Sequence, residues 1–364
     1  MLEPPTADKR SDATSIISET TWPIWQPFTK HMNEFEAIRS FFEWPTAHTA
    51  LGVGDDAALC AVPEGQALAI SSDMLVEGRH FFADVDPESL GHKALAVNLS
   101  DMAAMGAEPK HFTLALALPA MDTHWLERFA AGLKKTADAF HCDLIGGDTT
   151  AGPLNIAITV LGHVPHGQAL RRSGAQAGDD IYVSGALGAA RLALWHRAQR
   201  LGAPLSAPCG IDAARAMDWP TPRVALGLAL RGVASAAMDL SDGLAGDLRH
   251  LALASQCDAT VSIEQIPVAP CLAGVQEINA PVFAAQGGDD YELLFTAPST
   301  HRARLQAISQ AQGIALTRIG VMSEPRAHDA VCVRFLDAFG HDMADQLAGF
   351  DHFESTASPF TQRL

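Results

Sequence analysis

Positive charge is scarce in this chain: 25 Lys and Arg stand against 42 Asp and Glu over 364 residues, a formal net charge of −17. A surface of that sign repels nucleic acid and anionic membrane, so neither is an expected partner. No run of roughly 18 apolar residues is present to span a bilayer, and the first thirty residues hold no apolar core of a secretory signal. The six cysteines (Cys60, Cys142, Cys209, Cys257, Cys271 and Cys332) are scattered, with no C-x-x-C pair and no His at zinc-ligand spacing. That pattern argues against a disulfide framework or a zinc centre and fits a reducing cytoplasm. Fixed-period repeats and low-complexity tracts are missing too. So are the G-x-x-x-x-G-K-[ST] phosphate loop and the H-R-D and D-F-G signatures of protein kinases.

What the chain has instead is aspartate beside Gly or Ser, again and again: Gly54-Asp55-Asp56, Ser71-Ser72-Asp73, Ser100-Asp101, Gly146-Gly147-Asp148, Asp239-Leu240-Ser241-Asp242 and Gly287-Gly288-Asp289-Asp290. Each alone is an ordinary turn signature. Their number, and their position directly after short apolar strands, where α/β folds expose ligand sites, points to metal and phosphate. Mg²⁺ takes hard oxygen ligands, keeps several waters and is shared with substrate phosphates. Without cations such a cluster is costly: two carboxylates ~4 Å apart repel by about 4 kcal/mol at an effective dielectric of 20.

At 48% hydrophobic, the chain is long enough for about two domains. Residues 1–31 read as a poorly ordered leader, with Met32 an equally plain start of translation. Met32 opens an expected amphipathic helix with Phe35, Ile38 and Phe42 on its apolar side. Ala67–Ser71 reads as a strand entering a Ser72-Asp73 turn. Asp86 is an expected N-cap and Pro87 the first residue of a helix to Met105, on which Lys93, Val97 and Asp101 share a face. Strands are expected at 112–118, 143–145 (ending in the Gly147-Asp148 turn) and 155–164, with a helix at 125–140. This first unit closes near residue 166, giving domains 32–166 and 167–364. In the second, strands are expected at 181–184, 237–240, 260–263, 282–283, 293–296 and 331–335. Helices are expected at 189–200, 223–234, 244–254 and 299–312, with a loop over 204–222. Ser241 and Asp242 are expected to cap the helix at 244, and Gly185-Ala-Leu-Gly188 offers backbone N–H groups at a helix start, for packing or for a phosphate. Alternating strands and helices indicate an α/β (α+β) chain in two layers, mixed sheets covered by helices.

Six segments in order carry a family resemblance: Gly52-Val-Gly-Asp-Asp-Ala-Ala58, Ser72-Asp-Met-Leu-Val-Glu-Gly-Arg-His-Phe81, Lys93 through Ala107, Gly146-Gly-Asp-Thr149, Ser241-Asp-Gly-Leu244 and Asp290-Tyr-Glu-Leu-Leu-Phe295. The chain resembles the thiamine-monophosphate kinase family from about Met32 to Phe353. The resemblance implies the two-domain aminoimidazole ribonucleotide synthetase-like fold and a homodimer paired through the N-terminal domains. It implies Mg²⁺-dependent transfer of the γ-phosphoryl group of ATP to thiamine monophosphate, giving thiamine diphosphate, the last step of that cofactor's synthesis. Carried over by position, Asp55, Ser71, Ser72, Asp73, Asp101, Asp148, Asp239 and Asp242 match metal-binding places, of which Asp73, Asp101, Asp148 and Asp242 would act in catalysis through the metal. Gly147, Asp148, Arg172 and Ser241 match nucleotide contacts, and His80, Asp289 and Phe350 match substrate contacts. The family commonly has Glu where Asp289 stands, one methylene longer. Two other readings are weighed beside it. Selenophosphate synthetase and the hydrogenase-maturation protein of the same superfamily normally carry a reactive Cys or selenocysteine near the N-terminal glycines or a C-terminal Cys, which this chain lacks; the other reading is a non-catalytic nucleotide-binding sensor.

Overall fold

The computed structural model describes residues 32–326 and 331–347; the expected leader over 1–31 and Phe350 fall outside them. A short helix, α1 (Glu34–Ala37), continues as a widened turn through Phe42. Asn33 and Glu36 start it by reciprocal side-chain-to-backbone bonds of 2.9 and 3.0 Å. Phe42 is buried as expected, but Phe35 is 69% exposed.

Four strands form the first sheet: β1 (Gln66–Val76), β2 (Glu108–Leu118), β3 (Asp143–Ala151) and β4 (Asn155–Pro165). Their order is β1-β4-β2-β3, antiparallel except for the parallel β2–β3 pair. Two expected turns are corrected here. Ser72-Asp73 and Gly147-Asp148 lie inside strands, with Asp73 opposite Ile158 and Asp148 opposite Ala115. Long-range pairing overrides the local turn preference of Ser, Gly and Asp. Gly147 has a reason of its own: with φ at 151°, a Cβ there would stand 1.8 Å from the Leu114 carbonyl oxygen.

Two long helices cover one face, α2 (Pro87–Ala104) and α3 (Thr123–Phe140). Asp86 caps α2 by accepting from the Ser89 N–H at 3.1 Å, with Pro87 in the first turn. Helix α3 is amphipathic and buries Leu126, Phe129, Ala130, Leu133 and Ala137. Helix α2 has almost no solvent side, which marks a central helix.

Six strands make the second sheet: β5 (Asp180–Ser184), β6 (Ala236–Asp239), β7 (Asp258–Ser262), β8 (Leu293–Ala297), β9 (Leu316–Ser323) and β10 (Val333–Leu336), in the order β10-β7-β9-β5-β8-β6. Around it lie α4 (Ala189–Arg197), α5 (Ala207–Asp218), α6 (Val224–Leu230), α7 (Leu244–Ser255), α8 (Ala280–Ala285) and α9 (Arg302–Gln312). The expected loop over 204–222 holds α5, with Pro208 in its first turn, where a missing N–H costs nothing. The expected strand at Val282-Phe283 is α8, because the Asn279 side chain caps it and Pro281 sits in its first turn. Strand β9 was not anticipated. One apolar core runs through both sheets, joining Leu95, Leu99 and Phe112 to Tyr182, Leu226 and Phe295.

Bare backbone contacts fix α2 in place. A Cβ on Gly132 of α3 would lie 1.9 Å from the Glu88 carbonyl oxygen, and one on Gly227 of α6 would lie 2.0 Å from that of Ala103. Gly132→Ala should therefore lower stability by about 1–3 kcal/mol in urea unfolding. Gly210→Ala, on the roomy face of α5, should leave stability unchanged or raise it by up to ~1 kcal/mol. Equal effects at the two positions would contradict this account of the helix crossing.

Candidate active site

Side chains alternate along β1, and that decides which of them act together. Ser71, Asp73 and Leu75 turn inward toward α2, whereas Leu68, Ile70, Ser72 and Met74 turn outward. Ser72 thus parts from its expected companions: its Oγ lies 3.1 Å from the Ile158 carbonyl, to which it donates, and 3.0 Å from Thr159 Oγ1.

On the inner side Ser71 donates to the Asp101 carboxylate, and the Asp73 N–H donates to Asn98 Oδ1 at 3.1 Å. Next to Asp101 on α2, Ser100 Oγ donates to Asp239 Oδ2 at 2.7 Å, tying the helix to the end of β6. Asp239 leads into Ser241 and Asp242, and the Asp242 N–H donates to buried Asp247 at 3.3 Å. Neither Ser241 nor Asp242 caps α7 through its side chain; Gly243, with φ at 104°, takes the cap position instead. The Gly288–Tyr291 segment lies alongside, its Asp289 and Tyr291 N–H groups donating to the Ser241 and Leu240 carbonyls at 2.9 Å each. Asp289 and Tyr291 both adopt left-handed backbone, φ 65° and 49°.

These elements enclose a cavity of about 640 Å³ whose wall includes Asp73, Asp101, Asp239, Ser241, Asp242 and Asp289, with Arg79, His80 and Tyr291. Burial raises the Asp73 carboxyl to about 7, with the charges of Asp101 and Asp242 adding to the rise. Burial also raises Asp101, against the hydrogen bond from Ser71 and the charge of Arg172. Burial and then the Asp101 charge raise Asp239, and burial with the charges of Asp242 and Asp239 lifts Asp247 to about 8. Arg172 is exposed and stands outside the cavity wall, close enough to act on Asp101 and Asp247 through its field.

Arg79, His80 and Asp289 also line a smaller void of about 20 Å³, beside Phe81, Phe82, Lys93 and Asp218. His80 Nδ1 accepts the Val76 N–H at 3.0 Å, which leaves the ring proton on Nε2. Lys93, on the same α2 face as Asp101, reaches Asp289 Oδ2 at 3.4 Å, while Tyr291 Oη donates to Asp289 Oδ1 at 3.3 Å. Asp290 points away from the site. It is half-buried, its carboxyl is pushed well above the ordinary range by desolvation, and it accepts the Gly188 N–H at 3.0 Å. The helix start, weighed for packing or for a phosphate, gives that N–H to the Asp290 carboxylate and packs closely against Ala284, 3.1 Å from where a Cβ on Gly188 would stand.

Asp55, Gly147 and Asp148 belong to a different cavity, of about 850 Å³, between α1, the Val53–Ala58 loop and β3. The two large cavities share no wall residue. Sequence reasoning missed Arg79, Asn98, Tyr291 and Asp247; the first three lay within quoted motifs, beside His80, Val97 and Asp290, whereas Asp247 lay outside them. Among the described residues no three His, Cys, Asp or Glu side chains converge closely enough to cage an ion. An all-oxygen wall of aspartates with a serine hydroxyl nonetheless suits Mg²⁺, which needs only one or two carboxylates and takes its other ligands from water and phosphate.

Residues 54–164 match the family model of the AIR synthase related protein N-terminal domain, and residues 176–332 match that of its C-terminal domain. The thiamine-monophosphate kinase of Salmonella typhimurium is 43% identical over 326 residues, covering 88% of this chain and 98% of that protein. Among solved structures, the thiamine-monophosphate kinase of Stenotrophomonas maltophilia K279a is 41% identical with a TM-score of 0.74, over 82% of this chain and 95% of that one. A further neighbour, AaThiL complexed with AMPPCP and TMP, is 28% identical with a TM-score of 0.70, over 90% and 100%. With both halves of the fold matched and the similarity running nearly end to end, the chain belongs to the thiamine-monophosphate kinase family.

Proposed function

We propose that this chain transfers the γ-phosphoryl group of ATP to the phosphate of thiamine monophosphate, giving thiamine diphosphate and ADP, in the last step of thiamine diphosphate synthesis. The observation that carries the reading is the 43% identity over 98% of a thiamine-monophosphate kinase, joined to a cavity in which the carried-over Asp73, Asp101, Asp239, Asp242, His80 and Asp289 meet. The acceptor oxygen of a phosphate monoester is already ionised near neutral pH, so no side chain has to remove a proton from it. Direct in-line transfer then depends on alignment and on neutralising charge between two anions. Asp73, Asp101, Asp239 and Asp242, with the Ser71 hydroxyl, would hold Mg²⁺ on one side, and Asp55 and Asp148 on the other. When bound, the ions supply the positive charge that lets the phosphates approach.

The chain's own groups do the positioning. Asn98 fixes the backbone of Asp73, Ser100 fixes Asp239, and Ser71 orients Asp101. His80 presents Nε2–H, and Asp289 is steadied by Lys93 and Tyr291, toward the organic part of the acceptor. Gly147, Ser241 and Arg172 are assigned to the nucleotide. Residues 32–166 form the nucleotide and pairing half, and residues 167–364 the second half. Leu68, Ile70 and Met74, all exposed on the outer face of edge strand β1, make an apolar surface of the kind that marks association. That face is the proposed contact of a homodimer.

Release of ADP from ATP should require both thiamine monophosphate and Mg²⁺, with thiamine giving no turnover. Asp73→Asn and Asp101→Asn should each lower kcat at least about a hundredfold at saturating Mg²⁺ while the fold is kept; near-normal turnover in either would remove the metal-holding role. Ile70→Asp should shift the species seen by light scattering from dimer to monomer, and an unchanged mass would place the contact elsewhere. Asp73 and Asp247 hold protons in the folded chain that free aspartates release near pH 3.8. Their contribution is thus complete below about pH 4 and is lost as pH rises through 7 to 8. Melting of the metal-free protein between pH 5.5 and 8.5 should fall more steeply for the native chain than for Asp73→Asn, and Mg²⁺ should raise the native Tm more at pH 8.5 than at 5.5. Parallel pH curves for the two proteins would refute the electrostatic account.

A further inference from the structure

Three carboxylates of the acidic motif over 287–292 take different directions. Asp289 borders the large acidic cavity. Asp290 and Glu292 turn back onto the segment that joins β5 to α4. The Gly188 N–H donates to both Asp290 oxygens at 3.0 Å, and the Ser184 hydroxyl donates to Glu292, which Arg223 Nε also reaches at 2.8 Å. Gly188 cannot cap α4 by itself: its φ is 92°, and a Cβ there would stand 3.1 Å from both Ala284 Cα and Leu272 Cδ2. Asp290 therefore supplies from a distance the acceptor that a capping residue gives locally.

Fixing this carboxylate matters because of the backbone on either side of it. Asp289 and Tyr291 are both left-handed, φ 65° and 49°, a conformation that bulky side chains rarely hold. Such strain persists only where the surroundings over-determine the chain. The front of the turn is tied by the Asp289 and Tyr291 N–H groups to the Ser241 and Leu240 carbonyls. Its rear is tied to α4 at two places. Asp290 sits on Gly188, and Arg191, in the first turn of the helix, donates through Nη1 to Gln286 Oε1 at 3.1 Å and to the Phe283 carbonyl at 2.8 Å. Arg191 is itself buried, with its guanidinium over the Phe283 ring and within the field of Asp290. Relaxation of Asp289 or Tyr291 to an ordinary φ would swing Asp289 off the cavity wall and away from Lys93.

We propose that Asp290 is a positioning residue: seated on the start of α4, it pins the left-handed turn that sets Asp289 and Tyr291 on the cavity wall, and so governs affinity for the organic part of the acceptor. The effect on the acceptor rests on the kinase reading above; the pin does not. The full chain, Asp290→Ala and Asp290→Asn are compared in steady state with Mg²⁺, ATP and thiamine monophosphate, and by amide hydrogen exchange over 287–292. Asp290→Ala should raise the KM for thiamine monophosphate roughly five- to hundredfold, the range covered by one lost hydrogen-bond acceptor. The KM for ATP should not change, and the Asp289 and Tyr291 amides should exchange faster. Asp290→Asn, which keeps one acceptor oxygen at the same reach, should recover part of both losses. Asp122→Ala, which removes the side-chain cap of α3, should lower the Tm and leave both KM values alone, so lost stability by itself does not imitate the effect. A native KM for thiamine monophosphate in folded Asp290→Ala, an equal rise in both KM values, or native exchange at the two amides would each overturn the proposal. Should Asp290→Ala fail to fold, Asp290→Asn decides by the same criteria. A native chain that turns over no thiamine monophosphate would sink the acceptor reading alone, and exchange at Asp289 and Tyr291 would still decide the pin.

Discussion

A helix with nearly no solvent face is the constraint on which the rest of this molecule depends. Helix α2 is hemmed in by α3 through Gly132 and by α6 through Gly227, at distances that leave no room for a single methyl group. Helices from both halves of the chain are therefore packed against one cylinder, and one apolar core runs through both sheets. Close packing of this kind transmits displacement instead of absorbing it. Because Lys93, Asn98, Ser100 and Asp101 all project from α2, the geometry of the acidic cavity is inherited from backbone contacts made elsewhere on the same helix.

That cavity works against its own electrostatics. Asp239 and Asp247 are buried and Asp73 and Asp101 half-buried near one another, and desolvation is the largest cause of the upward shift at each. A site built for stability alone would have placed Arg or Lys among them, or apolar groups. Of the cations, Arg79 shares the cavity wall, Lys93 is committed to Asp289, and Arg172 acts on Asp101 from outside the wall. A divalent ion of the kind proposed above would supply charge of the opposite sign, and its binding would stabilise the folded chain.

Much of this was legible from the residues. Asp86 and Pro87 announced α2, the i, i+4, i+8 relation put Lys93 and Asp101 on one face, and the order of acidic motifs gave the family. Local chemistry misled where distant pairing decided the backbone. Ser72-Asp73 and Gly147-Asp148 have the composition of turns, but β4 and β2 hold them extended. Val282-Phe283 has the composition of a strand, and Asn279 with Pro281 makes it a helix. The split of the acidic motifs between two cavities could not be read at all, because proximity in a motif list says nothing about which face of a sheet a side chain takes. Lys93, Asn98 and Ser100 gained their partners only through the fold.

Strand β1 carries two interleaved sets of residues. Ser71, Asp73 and Leu75 face the acidic cavity side, and Leu68, Ile70 and Met74 make the apolar outer surface. Substitutions can alter one set without touching the other, so the cavity wall and the outer surface are free to drift independently. Insertions and deletions have no such freedom. One residue added or lost within the strand, between Leu68 and Ser71, with the pairing to β4 before it kept, would turn Ser72 and Met74 inward and expose Asp73. Lineages descending from this chain should therefore vary in the identity of these residues far more readily than in the number of residues that the strand itself contains.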